Sequence, residues 1–331
     1  MKALLLKKSK PISEKPLQLV EIPEPVIGND EILVRVSVCG ACHTDLHIIE
    51  GELLLPKLPI VPGHQIVGRV EEVGAGVSGF KKGDRVGVPW LNSTCGKCKF
   101  CTSNRENLCG DAKFTGYSVD GGFAEFVKVK GCFAYHLPEG IPDENVAPLL
   151  CAGVIGYRSY KLCGLRRGEI LALYGFGASA HIVIQVARFQ GQRIFVFSRS
   201  SQHRELAIKL GAEWAGSIDQ SPPEKTDAGI IFAPAGNIVP VAMKNLDRGG
   251  RLVCAGIHMS PIPGMEYGLL YYERVLMSAA NSTREDVREF LKLAVEAKVQ
   301  TVVRVQPLVE ANQLLRDLKN GLINGAGVLK L

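Results

Sequence analysis

A chain of 331 residues has room for two domains with ample cores, and 46% hydrophobic against 22% charged residues is the balance of an ordinary globular protein. The net charge of +6 is scattered rather than gathered into a polybasic run, which argues against nucleic-acid or membrane partners. No apolar run reaches membrane-span length, the opening MKALLLKK lacks signal-peptide anatomy, and ten cysteines in such a chain argue for metal before disulfides, so a cytoplasmic location is expected.

The N-terminal half reads as short strands and turns rich in Gly and Pro, the pattern of a barrel-like β domain. Residues 31–38 alternate as a strand ending at Cys39-Gly40, directly before Cys42-His43-Thr44-Asp45-Leu46-His47. A short helix over 44–49 would place Thr44 and His47 on one face. Pro62-Gly63-His64 leads into a strand over 65–73, and a turn at 82–85 precedes a strand over 86–88. Thiolate and imidazole in the first motif suit zinc, which at a catalytic site keeps one tetrahedral position open. Spacing alone leaves buried cysteines and an ordinary histidine as the competing explanation.

Cys95, Cys98, Cys101 and Cys109 follow the spacing C-x2-C-x2-C-x7-C. Four thiolates so arranged can enclose a structural zinc ion; an iron–sulfur cluster is the less favoured alternative. Beyond Val154 the pattern changes. An apolar strand over 170–174 runs into Gly175-Phe176-Gly177-Ala178-Ser179-Ala180, which opens a helix ending before Gly191. This is strand, G-x-G-x-x-A, helix: a turn, a close backbone approach for a pyrophosphate, and a small residue for helix–strand packing. Strands over 193–197, 228–232 and 251–255 then alternate with helical stretches, implying a parallel doubly wound sheet. Helices over 284–297 and 309–319 and a strand over 327–330 close the chain.

With a zinc-ligand set ahead of a dinucleotide-binding pattern, the chain resembles the zinc-dependent medium-chain alcohol dehydrogenases. The likeness rests on Cys42 to His47, Gly63-His64, the four-cysteine lobe and Cys151-Ala152-Gly153-Val154, all in family order and spanning nearly the whole length. It implies an α/β fold: a GroES-like, β-rich catalytic domain over 1–153 and 283–331, and a Rossmann dinucleotide-binding domain over 154–282. By position, Cys42, His64 and Cys151 would hold catalytic zinc and the four-cysteine lobe structural zinc, two Zn2+ per chain. Asp45 would orient a ligand imidazole, and His43 would contact cofactor phosphate. Thr44 would take the alcohol proton and pass it through the cofactor ribose towards His47. Cys39 matches no ligand position and is expected, with Cys132, Cys163 and Cys254, to be a small core residue.

Three positions depart from the family pattern. Gln65 stands where a glutamate is usual, Ala326 where many relatives carry a phosphate-binding arginine, and the stretch at Glu52-Leu53 lacks a tryptophan. Trp90 matches a pocket aromatic, so an uncharged alcohol or aldehyde is the expected partner. Ser198 occupies the place where NAD-specific folds carry an acid, and Arg199, with Ser200 and Arg204, offers donors to a 2′-phosphate. NADP is therefore favoured over NAD. The implied activity is reversible oxidation of primary or secondary alcohols to aldehydes or ketones by hydride transfer, in a homo-oligomer, dimer or tetramer. An NADPH-dependent zinc aldehyde reductase and a non-catalytic zinc-stabilised binding protein stay open as alternatives.

Overall fold

Glu31–Ala41 is the longest strand of the computed structural model, which describes residues 1–331. The strand continues past the alternating stretch because Cys39 and Gly40 pair on both sides and Ala41 on one, all three buried. Gln65–Val73 lies antiparallel on one side; on the other, Phe126–Lys130 pairs its first half and Ala326–Lys330 its end. The full seven-stranded sheet adds Arg85–Val88 and Tyr135–His136 beyond Gln65–Val73, and Val303–Pro307 beyond Ala326–Lys330. In this unit the paired strands Lys2–Leu6 and Leu17–Glu21 and the edge strand Val303–Pro307 escape a pattern reading. Ala311–Lys319 lays Leu314, Leu315 and Leu318 into the core of this unit.

This sheet belongs to a unit comprising Met1–Cys151, Thr283–Leu291 and Thr301–Leu331; a second unit comprises Ala152–Ser282 and Lys292–Gln300. The tail is thus not a single piece of the first unit as the sequence division has it, because the end of helix Arg284–Glu296 and the residues to Gln300 group with the second. Gln185 anchors that crossing segment: its amide donates to the Gln300 carbonyl and accepts from the Gln300 N–H, at 2.8 and 2.9 Å.

The second unit is a six-stranded parallel sheet in the order Trp214–Gly216, Arg193–Phe197, Ile170–Tyr174, Thr226–Ile231, Leu246–Cys254, Val275–Ser278. In chain order this is 3-2-1-4-5-6, the doubly wound arrangement whose ligand crevice lies at the carboxyl ends where the order reverses. Ile170–Tyr174 is buried throughout, with Leu171 and Leu173 in the core on one face and Ala172 and Tyr174 on the other. A helix that the sequence pattern misses, Ala152–Cys163, begins directly after Cys151. Cys39, Cys163 and Cys254 are core residues as expected, but Cys132 is exposed. It occupies the middle of the turn Gly131–Phe133, whose two ends point inward and leave it outside. No helix is long and apolar enough to cross a membrane.

The segment before Gln65–Val73 is set by Gly63, which has a left-handed φ of 97°. A Cβ there would lie 2.5 Å from the Phe123 ring and 2.9 Å from Cys39 Sγ, while backbone bonds from Gly121, Gly122 and Phe123 hold residues 61–63 in place. Gly63→Ala should lower the unfolding free energy by about 2–4 kcal/mol, through left-handed strain and overpacking. Urea denaturation checks this, and a wild-type midpoint would mean that Phe123 moves aside at negligible cost.

Candidate active site

Cys42 ends the strand region and starts helix His43–Glu50, and the first turn of that helix assembles the site. The Cys42 sulfur caps the turn by accepting from the Thr44 N–H at 3.3 Å. Asp45 returns the favour: its Oδ2 accepts the Cys42 N–H at 2.9 Å. The same carboxylate reaches His64 with its other oxygen, Oδ1, at 3.1 Å from Nδ1. Asp45 and His64 are both fully buried. One carboxylate therefore fixes the backbone of one candidate ligand and the ring of another.

With Nδ1 committed to Asp45, Nε2 of His64 faces two sulfurs, Cys42 and Cys151, each 3.3 Å away. The three donor atoms lie within 4.8 Å of one another. Cys42 is held well below the usual thiol range, chiefly by the bond donated from Cys151, and that bond holds Cys151 well above it. Burial opposes charge on His64, yet the Asp45 carboxylate and the Cys42 sulfur outweigh it and lift the ring to about 10. Burial raises Asp45 as well. A thiolate, an imidazole and a second thiol gathered in a dry site and pulling one another out of their ordinary ranges are a donor set suited to a divalent zinc-like ion.

The wall beside this set is aromatic. Trp90 meets the His64 ring edge-on at 4.8 Å, and Phe114 and Tyr117 pack on Trp90 at 5.2 and 5.7 Å. Tyr117 Oη donates to the Leu54 carbonyl at 2.7 Å, tying the loop after the helix to this wall. Leu53 and Leu55 turn towards the core and Leu54 away from it. Phe114 and Tyr117 carry no sequence signal of their own; the pairing of Leu91–Ser93 with Lys113–Phe114 brings them here. Thr44 and His47 share a helix face as expected, His43 is exposed at the helix start, and the His47 ring bonds Glu52.

The four-cysteine lobe folds around two short 3-10 turns, Cys101–Ser103 and Glu106–Leu108. All four sulfurs lie within 4.8 Å of one another and none is in a disulfide. The Cys98–Cys101 and Cys95–Cys101 sulfur separations, 3.6 and 3.9 Å, bracket the ~3.8 Å edge of a tetrahedron with ~2.3 Å zinc–sulfur bonds. Backbone N–H groups of Lys97 and Cys98 draw the Cys95 thiol down to about 6.

In the second unit, Gly175 N–H bonds the Phe197 carbonyl at 2.8 Å, closing the turn that carries Phe176, Gly177, Ala178, Ser179 and Ala180. Helix Ala178–Phe189 starts at Gly177 with no side-chain cap, and a Cβ at Gly177 would meet nothing within 4 Å. Uncapped N–H groups beside open space fit a phosphate group. Burial pushes His181 down to about 4, so it adds no cation there at neutral pH. Ser198 is buried at the end of Arg193–Phe197 and Arg199 is exposed beside it. Ser200 and Arg204, expected as phosphate donors, also make local bonds. The Ser200 hydroxyl accepts the His203 N–H as helix cap, and Arg204 Nη1 donates to the carbonyls of Ser198 and Arg199 at 2.7 and 3.0 Å.

Residues 28–139 match the alcohol dehydrogenase GroES-like domain. The chain is 45% identical to the probable alcohol dehydrogenase AdhA of Mycobacterium tuberculosis over 335 residues, 99% of this chain and 97% of that one. It is 38% identical to an alcohol dehydrogenase of Geobacillus stearothermophilus over 340 residues, with both chains fully covered. Among solved structures, the alcohol dehydrogenase of the hyperthermophilic archaeon Aeropyrum pernix superposes with a TM-score of 0.90 at 29% identity, covering 100% of both chains. The chain belongs to the medium-chain alcohol dehydrogenase family.

Proposed function

We propose that this protein reversibly oxidises small uncharged primary or secondary alcohols to aldehydes or ketones, with NADP favoured over NAD. The observation that carries the reading is the buried Cys42, His64 and Cys151 set, held by Asp45 and walled by Trp90. Those three residues would hold a zinc ion, which would supply Lewis-acid chemistry at the alcohol oxygen, and a bound nicotinamide would take up the hydride. Asp45 keeps His64 in the tautomer whose Nε2 lone pair points at the two sulfurs. Trp90, Phe114 and Tyr117 exclude water from the carbon side of the substrate, which is why an uncharged alcohol suits the site. Thr44 receives the hydroxyl proton, and His47, three residues on along the same face, releases it to solvent. Cys95, Cys98, Cys101 and Cys109 would hold a second zinc that takes no part in the chemistry. His43 and the backbone around Gly177 would hold cofactor phosphates, and Arg199 the 2′-phosphate. The open edge strand Val275–Ser278 suits association of two copies, in a dimer or tetramer.

Elemental analysis should find two zinc ions per chain, and Cys151→Ala should retain one with the fold intact. Full zinc content and full activity in that variant would remove Cys151 from the ligand set. Thr44→Ala should keep both ions yet lose roughly 100-fold or more in kcat, the range of general acid–base contributions. A merely structural hydroxyl would instead cost about 1 kcal/mol of stability and leave turnover near normal.

Cofactor preference is read from kcat/KM with NADP and NAD in parallel. Wild type should favour NADP, and Ser198→Asp/Arg199→Ala should move the ratio towards NAD. A wild-type preference for NAD of tenfold, about 1.4 kcal/mol, would contradict the role given to Arg199.

A further inference from the structure

Helix His43–Glu50 ends in a turn that brings a carboxylate back onto the ring of His47. Gly51, with a left-handed φ of 81°, allows the reversal. The Gly51 N–H bonds the Ile48 carbonyl at 3.3 Å and the Glu52 N–H bonds the His47 carbonyl at 2.9 Å, which together make a complete Schellman motif. In that motif the residue after the glycine packs against the third residue from the helix end, commonly as an apolar pair. Here the pair is Glu52 and His47, and Oε2 of Glu52 meets Nδ1 of His47 in a short hydrogen bond. The His47 side chain is 14% exposed and Glu52 45%, so the pair leads from the covered helix face out to water.

The neighbouring acid cannot substitute. Glu50 accepts the Ile12 N–H at 2.8 Å and is clamped by Lys319 at 2.7 and 2.8 Å. Glu52 has one further constraint, applied through its loop rather than its side chain: Tyr117 holds the Leu54 carbonyl two residues on.

Resting on the proton path proposed above, we infer that Glu52 is the positioning residue of His47, its carboxylate accepting Nδ1–H and leaving Nε2 as the basic nitrogen that receives the proton. The arrangement repeats, at the helix end, what Asp45 does for His64 at the helix start: a carboxylate on Nδ1 decides what Nε2 can do. The carboxylate also balances the imidazolium that exists until water takes the proton. Glu52 itself touches neither substrate nor metal.

Four proteins test this: wild type, His47→Gln, Glu52→Leu and Glu52→Gln. Glu52→Leu should lower kcat roughly tenfold, as expected when a residue that orients an active imidazole is lost. KM for the alcohol and zinc content should stay unchanged, and added imidazole buffer should restore much of the loss. Glu52→Gln, whose amide oxygen still accepts from Nδ1–H, should retain most of the turnover. Spectra of protein labelled with 15N-histidine should show the Nδ1–H tautomer of His47 in wild type and in Glu52→Gln, and a mixed population in Glu52→Leu. Wild-type kcat in Glu52→Leu alongside an impaired His47→Gln overturns the role of Glu52 and leaves the proton path standing. Wild-type kcat in His47→Gln overturns both. A loss in Glu52→Leu that imidazole does not rescue, accompanied by altered KM or zinc content, assigns Glu52 to loop structure and overturns the proposal.

Discussion

The site depends on one buried carboxylate. Burying Asp45 costs several kcal/mol unless its charge is answered within the protein, and both of its oxygens are answered: the Cys42 N–H on one, the His64 Nδ1–H on the other. Those two bonds couple a helix start to a loop nineteen positions away in sequence. They also set the chemistry, because an imidazole whose Nδ1–H is committed has only Nε2 left to offer. The neutral amide of Gln65 makes sense beside this. A second carboxylate next in the chain to His64, buried against Gly40, would add negative charge to a region already holding Asp45 and a lowered Cys42 thiol.

The two cysteine-bearing sites solve different problems. Cys42, His64 and Cys151 draw on a large core, and hydrogen bonds and packing preshape the set. The lobe from Cys95 to Cys109 has only short 3-10 turns, three half-buried cysteines and one buried one, Cys109, with little apolar area of its own. An ion there would supply the cohesion that a core supplies elsewhere. The lobe is also tethered to the unit by the nearly buried Glu106, whose Oε1 accepts from both the backbone N–H and Nε of Arg284 at 2.9 and 3.2 Å. Arg284 in turn stacks over Phe133 at 5.1 Å, so the first turn of helix Arg284–Glu296 serves as the lobe's anchor.

What the sequence makes legible is what local chemistry dictates. Strands Gln65–Val73, Ile170–Tyr174 and Arg193–Phe197 show themselves by their apolar runs, and both cysteine-bearing sets announce themselves by residue type. Helix Ala152–Cys163 is hidden because Gly153 and Gly156 interrupt its pattern and its start is masked by the motif at Cys151. Val303–Pro307 is hidden because its alternation, Val-Arg-Val-Gln, lasts only four residues before a proline ends it. Phe114 and Tyr117 reach Trp90 only through a strand pairing that no local pattern encodes. Glu52 is different. A glycine just past a helix, followed by an acid five residues after a histidine, is a readable signal, and the Schellman turn is the physical step that converts it into contact.

The proposed cofactor choice rests on the few charges at the end of Arg193–Phe197. At the end of Arg193–Phe197 this chain has no side-chain acid; Ser198 is buried, its N–H held by the Gly216 carbonyl. Arg204 stiffens the following turn by bonding two carbonyls, and Ser200 spends its oxygen on the helix cap. The turn is thus built from backbone and local bonds, and the cation left facing outward is Arg199. An exposed guanidinium is worth little against a single point charge, about 0–1 kcal/mol, because water screens it and its side chain must be ordered. A phosphate that accepts two parallel bonds from the planar fork recovers more. The NADP preference proposed above would draw on two sources acting together: the missing carboxylate removes a repulsion, and Arg199 would add an attraction whose size depends on how rigidly the turn presents it. The brace supplied by Arg204 matters for that reason. It fixes the backbone from which Arg199 projects.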